Sequence, residues 1–214
     1  MSENRKFSVL MSVYVKENPV FLEEAVESII HQTLKPSEVV IVEDGPLTPE
    51  LYQVLEKLEA QSSIPIKRCP LEQNRGLGLA LQNGVLQCQY DVIARMDTDD
   101  IAVEDRFEQQ FELMEKENLD LLGGHIAEFI DQPDEIVSYR RVPTKHEDII
   151  AYQRMRSAFN HMTVMFKKEM VLKAGNYEDG LYMEDDLLWL NMISAGARTG
   201  NVDQILCKVR VGAG

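Results

Sequence analysis

Four short apolar runs alternate with three helical stripes over the first hundred residues, and few folds tolerate that order. Phe7 to Val13 is long enough for one buried strand. Behind Asn18-Pro19 come Leu22, Ala25, Val26, Ile29 and Ile30, the stripe of a helix lying on a sheet. Val39 to Val42 reads as a second buried strand, and Leu51, Val54, Leu55 and Leu58 as a second helix, with Thr48-Pro49 as cap and first-turn proline. Ile64 to Cys69, Gly76 to Gln87 and Tyr90 to Met96 continue as strand, helix and strand. Strands connected through helices cannot pair as hairpins, so this order predicts a parallel sheet with helices on its faces.

The second half is less regular. Arg106, Phe107, Gln110, Phe111 and Met114 form another amphipathic stripe in a helix beginning near Val103, and Leu119 to Ile130 reads as a strand. An irregular, charged stretch runs from Asp131 to His146. A helix is expected over His146 to Arg156, a short strand over Met162 to Phe166, and a nearly all-apolar helix over Glu184 to Ala195. Repeats are absent, and 214 residues suit one domain. The expected organisation is a nucleotide-binding half, 1–100, and a second half, 101–214, that completes a site. A net charge of −14 lacks the basic footprint of a nucleic-acid-binding protein. Cys69, Cys88 and Cys207 show neither disulfide nor zinc spacing, and no apolar run is long enough to span a bilayer. A soluble, cytoplasmic protein is expected.

In open α/β sheets, ligands bind beyond the carboxyl ends of the strands. Three groups fall there: Ser12-Val13-Tyr14, Glu43-Asp44-Gly45, and Asp97-Thr98-Asp99-Asp100. Three carboxylates in four residues repel one another and suit a hard divalent cation, which prefers oxygen ligands. The bland alternative is a solvated loop that caps the next helix. Asp44 before Gly45-Pro46 could accept hydrogen bonds from a base or sugar, or simply form an Asx turn. Arg75 in Asn74-Arg75-Gly76-Leu77-Gly78 could meet a base or phosphate, or merely start a helix. Asn83-Gly84 inside that helix is costly by propensity, which close packing would explain. Glu184-Asp185-Asp186 could supply a general base or serve the helix dipole. His161 could be a ligand, an acid/base partner or a structural residue.

These pieces, in this order, resemble the family 2 glycosyltransferases, inverting enzymes of the GT-A fold. The resemblance rests on Ser8 to Tyr14, Val42-Glu43-Asp44-Gly45, Asn74-Arg75-Gly76-Leu77, Asp97-Thr98-Asp99-Asp100, Asn160 to Phe166 and Glu184-Asp185. It spans Phe7 to about Val211 and is strongest toward bacterial members that build exopolysaccharide, capsule or lipopolysaccharide. It implies a single GT-A domain with a Rossmann-like, mostly parallel sheet flanked by helices. It further implies that Ser12, Tyr14, Asp44, Arg75 and Asp97 bind the nucleotide sugar. Asp99 and Asp100 would hold Mn²⁺ or Mg²⁺, with the direct ligand among Asp97, Asp99 and Asp100 left open. Asp185 would be the general base, beside Glu184.

The implied donor is a nucleotide-diphosphate sugar, a UDP-sugar by preference, and the acceptor a glycan or lipid-linked saccharide. Two departures stand out. Met162 follows His161 where similar relatives often carry proline, and the chain stops at Val211-Gly212-Ala213-Gly214 where they continue into a basic tail. Peripheral contact with the inner face of the membrane is expected through such a tail. The rivals are a haloacid-dehalogenase-type phosphatase and a non-catalytic nucleotide-sugar-binding protein. The phosphatase would need its D-x-D after an early strand, yet four strands precede Asp97. An EF-hand fails, because Ile101 and Ala102 stand where an oxygen ligand and glycine are required.

Overall fold

The computed structural model describes residues 5–178 and 183–212. Its first half follows the alternation: β1 (Ser8–Tyr14), α1 (Pro19–Ile30), β2 (Glu38–Asp44), α2 (Pro49–Gln61), β3 (Ile66–Pro70), α3 (Leu77–Gln87) and β4 (Val92–Arg95). Helix starts are chemically marked. Asn18 Oδ1 accepts from the Val20 N–H at 2.9 Å, Thr48 Oγ1 accepts from the Leu51 N–H at 3.3 Å, and each cap precedes a proline in the first turn.

The second half comprises β5 (Ile101–Ala102), α4 (Arg106–Glu117), β6 (Leu121–Phe129), β7 (Ile136–Arg140), α5 (His146–Gln153), β8 (Met165–Lys167), α6 (Lys168–Lys173), α7 (Glu184–Ser194) and β9 (Thr199–Arg210). All strands share one sheet in the order β3-β2-β1-β4-β8-β6-β9-β5, with β7 paired to β6. Strands β1 to β4 pair in parallel. The antiparallel pairs, β4–β8, β8–β6, β6–β7 and β5–β9, all involve second-half strands. None of the described helices is long and apolar enough to cross a membrane.

Alternate residues of the central strands feed two cores. Val9, Met11, Val13, Val39 and Ile41 pack with Leu22, Val26, Leu51, Leu55, Phe107 and Phe111 under α1, α2 and α4. Leu10, Val40, Val42 and Ile93 pack with Ala80, Val85, Leu188 and Trp189 under α3 and α7. This three-layer arrangement is what a period-2 strand, apolar on both faces, requires. Gly84 earns its place by contact. A Cβ there would lie 2.3 Å from Leu10 Cδ1 and 2.9 Å from Val42 Cγ2, so only glycine lets α3 lie this close to β1 and β2.

The second half departs from the sequence expectation, and the short elements β5 and α6 are among those not expected. The segment 131–146 contains the strand β7. The expected strand Met162–Phe166 splits into a 3-10 turn, His161–Thr163, and β8. Residues 199–210, for which no element was expected, form the longest strand. That strand runs parallel to β6 from Leu121↔Thr199 to Phe129↔Arg210 and pairs with β5 at Ile101↔Lys208.

Candidate active site

The carboxyl ends of β1, β2 and β4 open onto a cavity of about 430 Å³, lined by Ser12, Tyr14, Glu17, Asp44, Asn74, Gly76, Leu77, Asp97, Thr98 and Asp99. Segments from four separate parts of the chain, the ends of β1, β2 and β4 and the loop before α3, thus meet where an open α/β sheet binds ligands.

Asp44 is buried and holds one wall. Its Oδ1 accepts from the Arg75 N–H at 2.7 Å and its Oδ2 from the Gly76 N–H at 3.0 Å, while its carbonyl accepts from Asn74 Nδ2 at 3.2 Å. Gly45 follows at φ +84°, and a Cβ there would lie 2.5 Å from the Asn74 nitrogen. A side chain would therefore push the 74–76 loop off Asp44. Arg75 joins this wall through its backbone N–H, and its side chain is exposed.

Opposite lies the acidic cluster. One oxygen from each of Asp97, Asp99 and Asp100 falls within 4.8 Å of the others. Burial, then the charges of Asp97 and Glu17, push the Asp99 carboxyl up to about 6. Burial, then Asp97 and Asp99, push Asp100 up to about 8. Carboxylates this close and this poorly solvated favour either a proton or a cation. A hard, all-oxygen donor set with open space beside it fits a divalent ion of the Mg²⁺ or Mn²⁺ kind.

Nonlocal partners fix the cluster. Asp97 pairs with Arg95, and Asp100 Oδ1 accepts from the Arg210 N–H at 3.0 Å. Thr98 Oγ1 lies 2.5 Å from Glu17 Oε2 and 3.3 Å from the Ser12 carbonyl oxygen, tying the cluster to β1. Arg106 is fully buried under it, donating to the Arg95 carbonyl at 2.7 Å and to Gln110 Oε1 at 3.0 Å, and facing Cys207 Sγ at 3.3 Å. It braces the end of β4 against α4 and β9. Sequence reasoning missed Glu17, Arg95, Arg106 and Arg210. Only Arg106 carried a signal, as a cation on the apolar stripe of its helix.

The second acidic group shares the field of Arg95 with the first. Asp185, in the first turn of α7, is about one-quarter exposed, with Oδ2 at 3.9 Å from His161 Nδ1. Burial, with the charges of Asp186 and Glu184, holds its carboxyl above the usual range, against the opposing pull of the Asp186 N–H and of Arg95. His161 is packed against Trp189, with its Nε2 at 2.9 Å from the Tyr177 hydroxyl. Burial and the field of Arg95 keep it neutral. A Tyr177 O–H donating to Nε2 leaves the imidazole proton on Nδ1, facing Asp185. Asp186, by contrast, is a structural acceptor, bonded by Gln153 Nε2 at 2.7 Å. Glu184 lies beside the first turn of α3: its Cβ is 3.4 Å from where a Cβ on Gly78 would stand.

The acidic cluster has a measurable cost. Asp99 and Asp100 bind protons more tightly folded than unfolded, so between about pH 4 and 8 the native state holds more protons and stability falls as pH rises. Asp100→Asn keeps an acceptor for Arg210 and removes the charge. Its melting temperature without added metal should exceed the wild type's by a few degrees at pH 8, at roughly 2–4 °C per kcal/mol for a chain of this size. The gain should vanish near pH 4. A difference independent of pH in thermal unfolding would refute this account.

A parallel α/β half thus presents a D-x-D cluster, with a second carboxylate at the head of a later helix, the arrangement that the glycosyltransferase resemblance implies. Residues 8–175 match the family described as Glycosyl transferase family 2, and the chain belongs to that family. It is 43% identical over 208 residues to the amylovoran biosynthesis glycosyltransferase AmsE of Erwinia amylovora, covering 97% of this chain and 77% of that one. It is 38% identical over 206 residues to the Escherichia coli UDP-Gal:alpha-D-GlcNAc-diphosphoundecaprenol beta-1,3-galactosyltransferase, covering 96% and 74%. The structure of Staphylococcus aureus TarS 1-349 in complex with UDP-GlcNAc superposes with a TM-score of 0.74 at 19% identity, over 98% of this chain and 59% of that one. At that identity the likeness speaks for the fold. The phosphatase reading has no support left.

Proposed function

We propose that the cleft binds a UDP-sugar with a divalent cation, and that Asp185 takes the proton of an acceptor hydroxyl as the sugar is transferred with inversion. One observation carries this reading: Asp44, Asp97 and Asp99 line one cavity, and Asp185 shares the field of Arg95, the partner of Asp97.

Each residue has a physical task. Ser12 and Tyr14 wall the base pocket, and Asp44, by pinning the 74–76 loop, shapes its far side and keeps free lone pairs for the base. Arg75 flanks that wall with an exposed guanidinium. Asp97, oriented by Arg95, faces the ribose. Asp99 and Asp100 would hold Mn²⁺ or Mg²⁺, which when bound offsets charge developing on the departing diphosphate. Asp185, partly desolvated and next to Glu184, is more basic than a free carboxylate and accepts the acceptor's proton.

The acceptor is a saccharide on a lipid diphosphate carrier, which the Escherichia coli relative supports, in the synthesis of a bacterial surface polysaccharide. Three free cysteines suit a reducing compartment, so the reaction is assigned to the cytoplasmic face of the membrane.

Thermal-shift measurements with UDP-, GDP-, dTDP- and CMP-sugars, each with Mn²⁺, Mg²⁺ or EDTA, test the donor. The UDP-sugar with metal should give the largest rise. At a hundredfold excess over Kd, binding adds about 2.7 kcal/mol, or some 5–10 °C. Equal shifts in metal and EDTA would overturn the metal assignment, and a larger shift with another base would overturn the choice of uridine.

A further inference from the structure

The structure carries one feature that donor binding and base catalysis leave unused. The turn that follows α5, Arg154-Met155-Arg156, is exposed throughout, and Met155 at 88% is the most exposed large apolar side chain among the described residues. The same turn borders a shallow groove of about 400 Å³ lined by Pro143, Asp148, Ala151, Tyr152, Met155 and Arg156. Arg140, at the end of β7, reaches the same turn, with Nη2 3.5 Å from the Ser157 carbonyl oxygen, and the exposed Arg141 follows it. Among the described residues, none of these four arginines forms an ion pair.

A chain of net charge −14 has an excess of carboxylates with which to neutralise four arginines, yet these are left free around an apolar tip. Asp148 lies a helical turn back from Tyr152, and the acids Asp131, Asp134 and Glu135 precede the opposite end of β7. We propose that this face, the end of α5 with Arg140 and Arg141, docks on the surface of an anionic phospholipid bilayer. Guanidiniums meet the lipid phosphates, and Met155 and Tyr152 enter the boundary between headgroups and acyl chains. The chain's overall negative charge does not prevent this. At physiological salt, fields are screened within about 8 Å, so the bilayer meets the local patch, where four arginines outweigh Asp148 in the groove, and not the distant acids.

The docking face is coupled to the site. Gln153, the residue before Arg154, bonds Asp186, the neighbour of Asp185. A bilayer against Met155 would therefore lie beside the head of α7, where a lipid-anchored acceptor must bring its hydroxyl. That last step rests on the acceptor reading above; the docking itself does not. It places a membrane contact on a face within the domain, independent of any contact through a C-terminal tail.

The test is co-sedimentation of the full chain with vesicles of phosphatidylcholine alone or doped with phosphatidylglycerol, across a salt series. The wild type should bind the anionic vesicles and lose them as salt rises. Arg154→Glu with Arg156→Glu should weaken that binding at least about tenfold, given the contribution of each cation near such a surface. Met155→Asp should weaken it at constant salt. UDP affinity should be unchanged in all variants, because none of these residues lines the nucleotide cleft; this also certifies that they fold. Equal binding to both vesicle types, or variants that bind like the wild type, would overturn the proposal. So would absence of vesicle binding alongside binding of polyglutamate, which would reassign the face to an acidic protein. Loss of UDP binding in the wild type would count against the donor reading and leave the docking result standing.

Discussion

Asp185→Asn is expected to lower turnover by about 10²- to 10⁴-fold, the usual scale for losing a general base, while UDP affinity stays nearly unchanged. The amide keeps the size and hydrogen-bonding shape of the carboxylate but cannot accept the acceptor's proton. The lost interaction belongs to the transition state, so kcat should fall with little change in donor KM. The first turn of α7 offers an alternative role, because acids there also favour the helix dipole. The geometry separates the two roles, since Asp186 is bonded by Gln153 whereas Asp185 is turned toward His161.

The pH profile separates them further. If Asp185 is the base, its protonated form cannot act, so turnover should rise with pH through a carboxyl value held above 3.8 by burial and by Asp186 and Glu184. That acid limb should disappear in Asp185→Asn. Transfer at the wild-type rate by the variant, with a lipid-linked acceptor present, would leave Asp185 a helix-end residue only.

Asp99→Ala with Asp100→Ala is expected to remove the metal dependence of nucleotide binding altogether. In the wild type, Mn²⁺ should tighten UDP binding at least about tenfold over EDTA, equivalent to about 1.4 kcal/mol. The reason is the donor set: burial and mutual repulsion disfavour the ionised forms of both acids until a cation offsets them. In the double variant, titration calorimetry should give the same UDP affinity with and without Mn²⁺. Asp44 and Ser12 lie on other strands, so residual affinity should persist. A metal effect that survives both substitutions would move the ion to other ligands.

Much of this was legible in the sequence, and the reason is locality. Whether Val9 or Leu10 faces α1 or α3 depends on a two-residue alternation, and whether Leu22 and Val26 share a face depends on helical spacing. The order of strands and helices up to Arg95 follows from such short periods. The motif acids could be placed too, because the ends of parallel strands are where such sheets bind ligands.

What the sequence could not announce is every feature made by residues far apart in the chain. Residues 199–210 show no clean alternation: Thr199 to Val202 are all buried, Asp203 and Gln204 are exposed, and the pairing of β9 with β6 shifts register between Gly124 and Ile126. Its last residue closes the site: the Arg210 N–H meets Asp100 across a separation of 110 residues. Nothing local shows which partners Arg95 and Arg106 take, although Arg106 stands on the apolar stripe of its helix, and both are buried. Arg95 ties Asp97 into the field shared with Asp185, while Arg106 braces the strand that carries the cluster. Local periodicity tells which side of an element is buried; which distant partner buries it, and with what charge, is decided only when the sheet has closed.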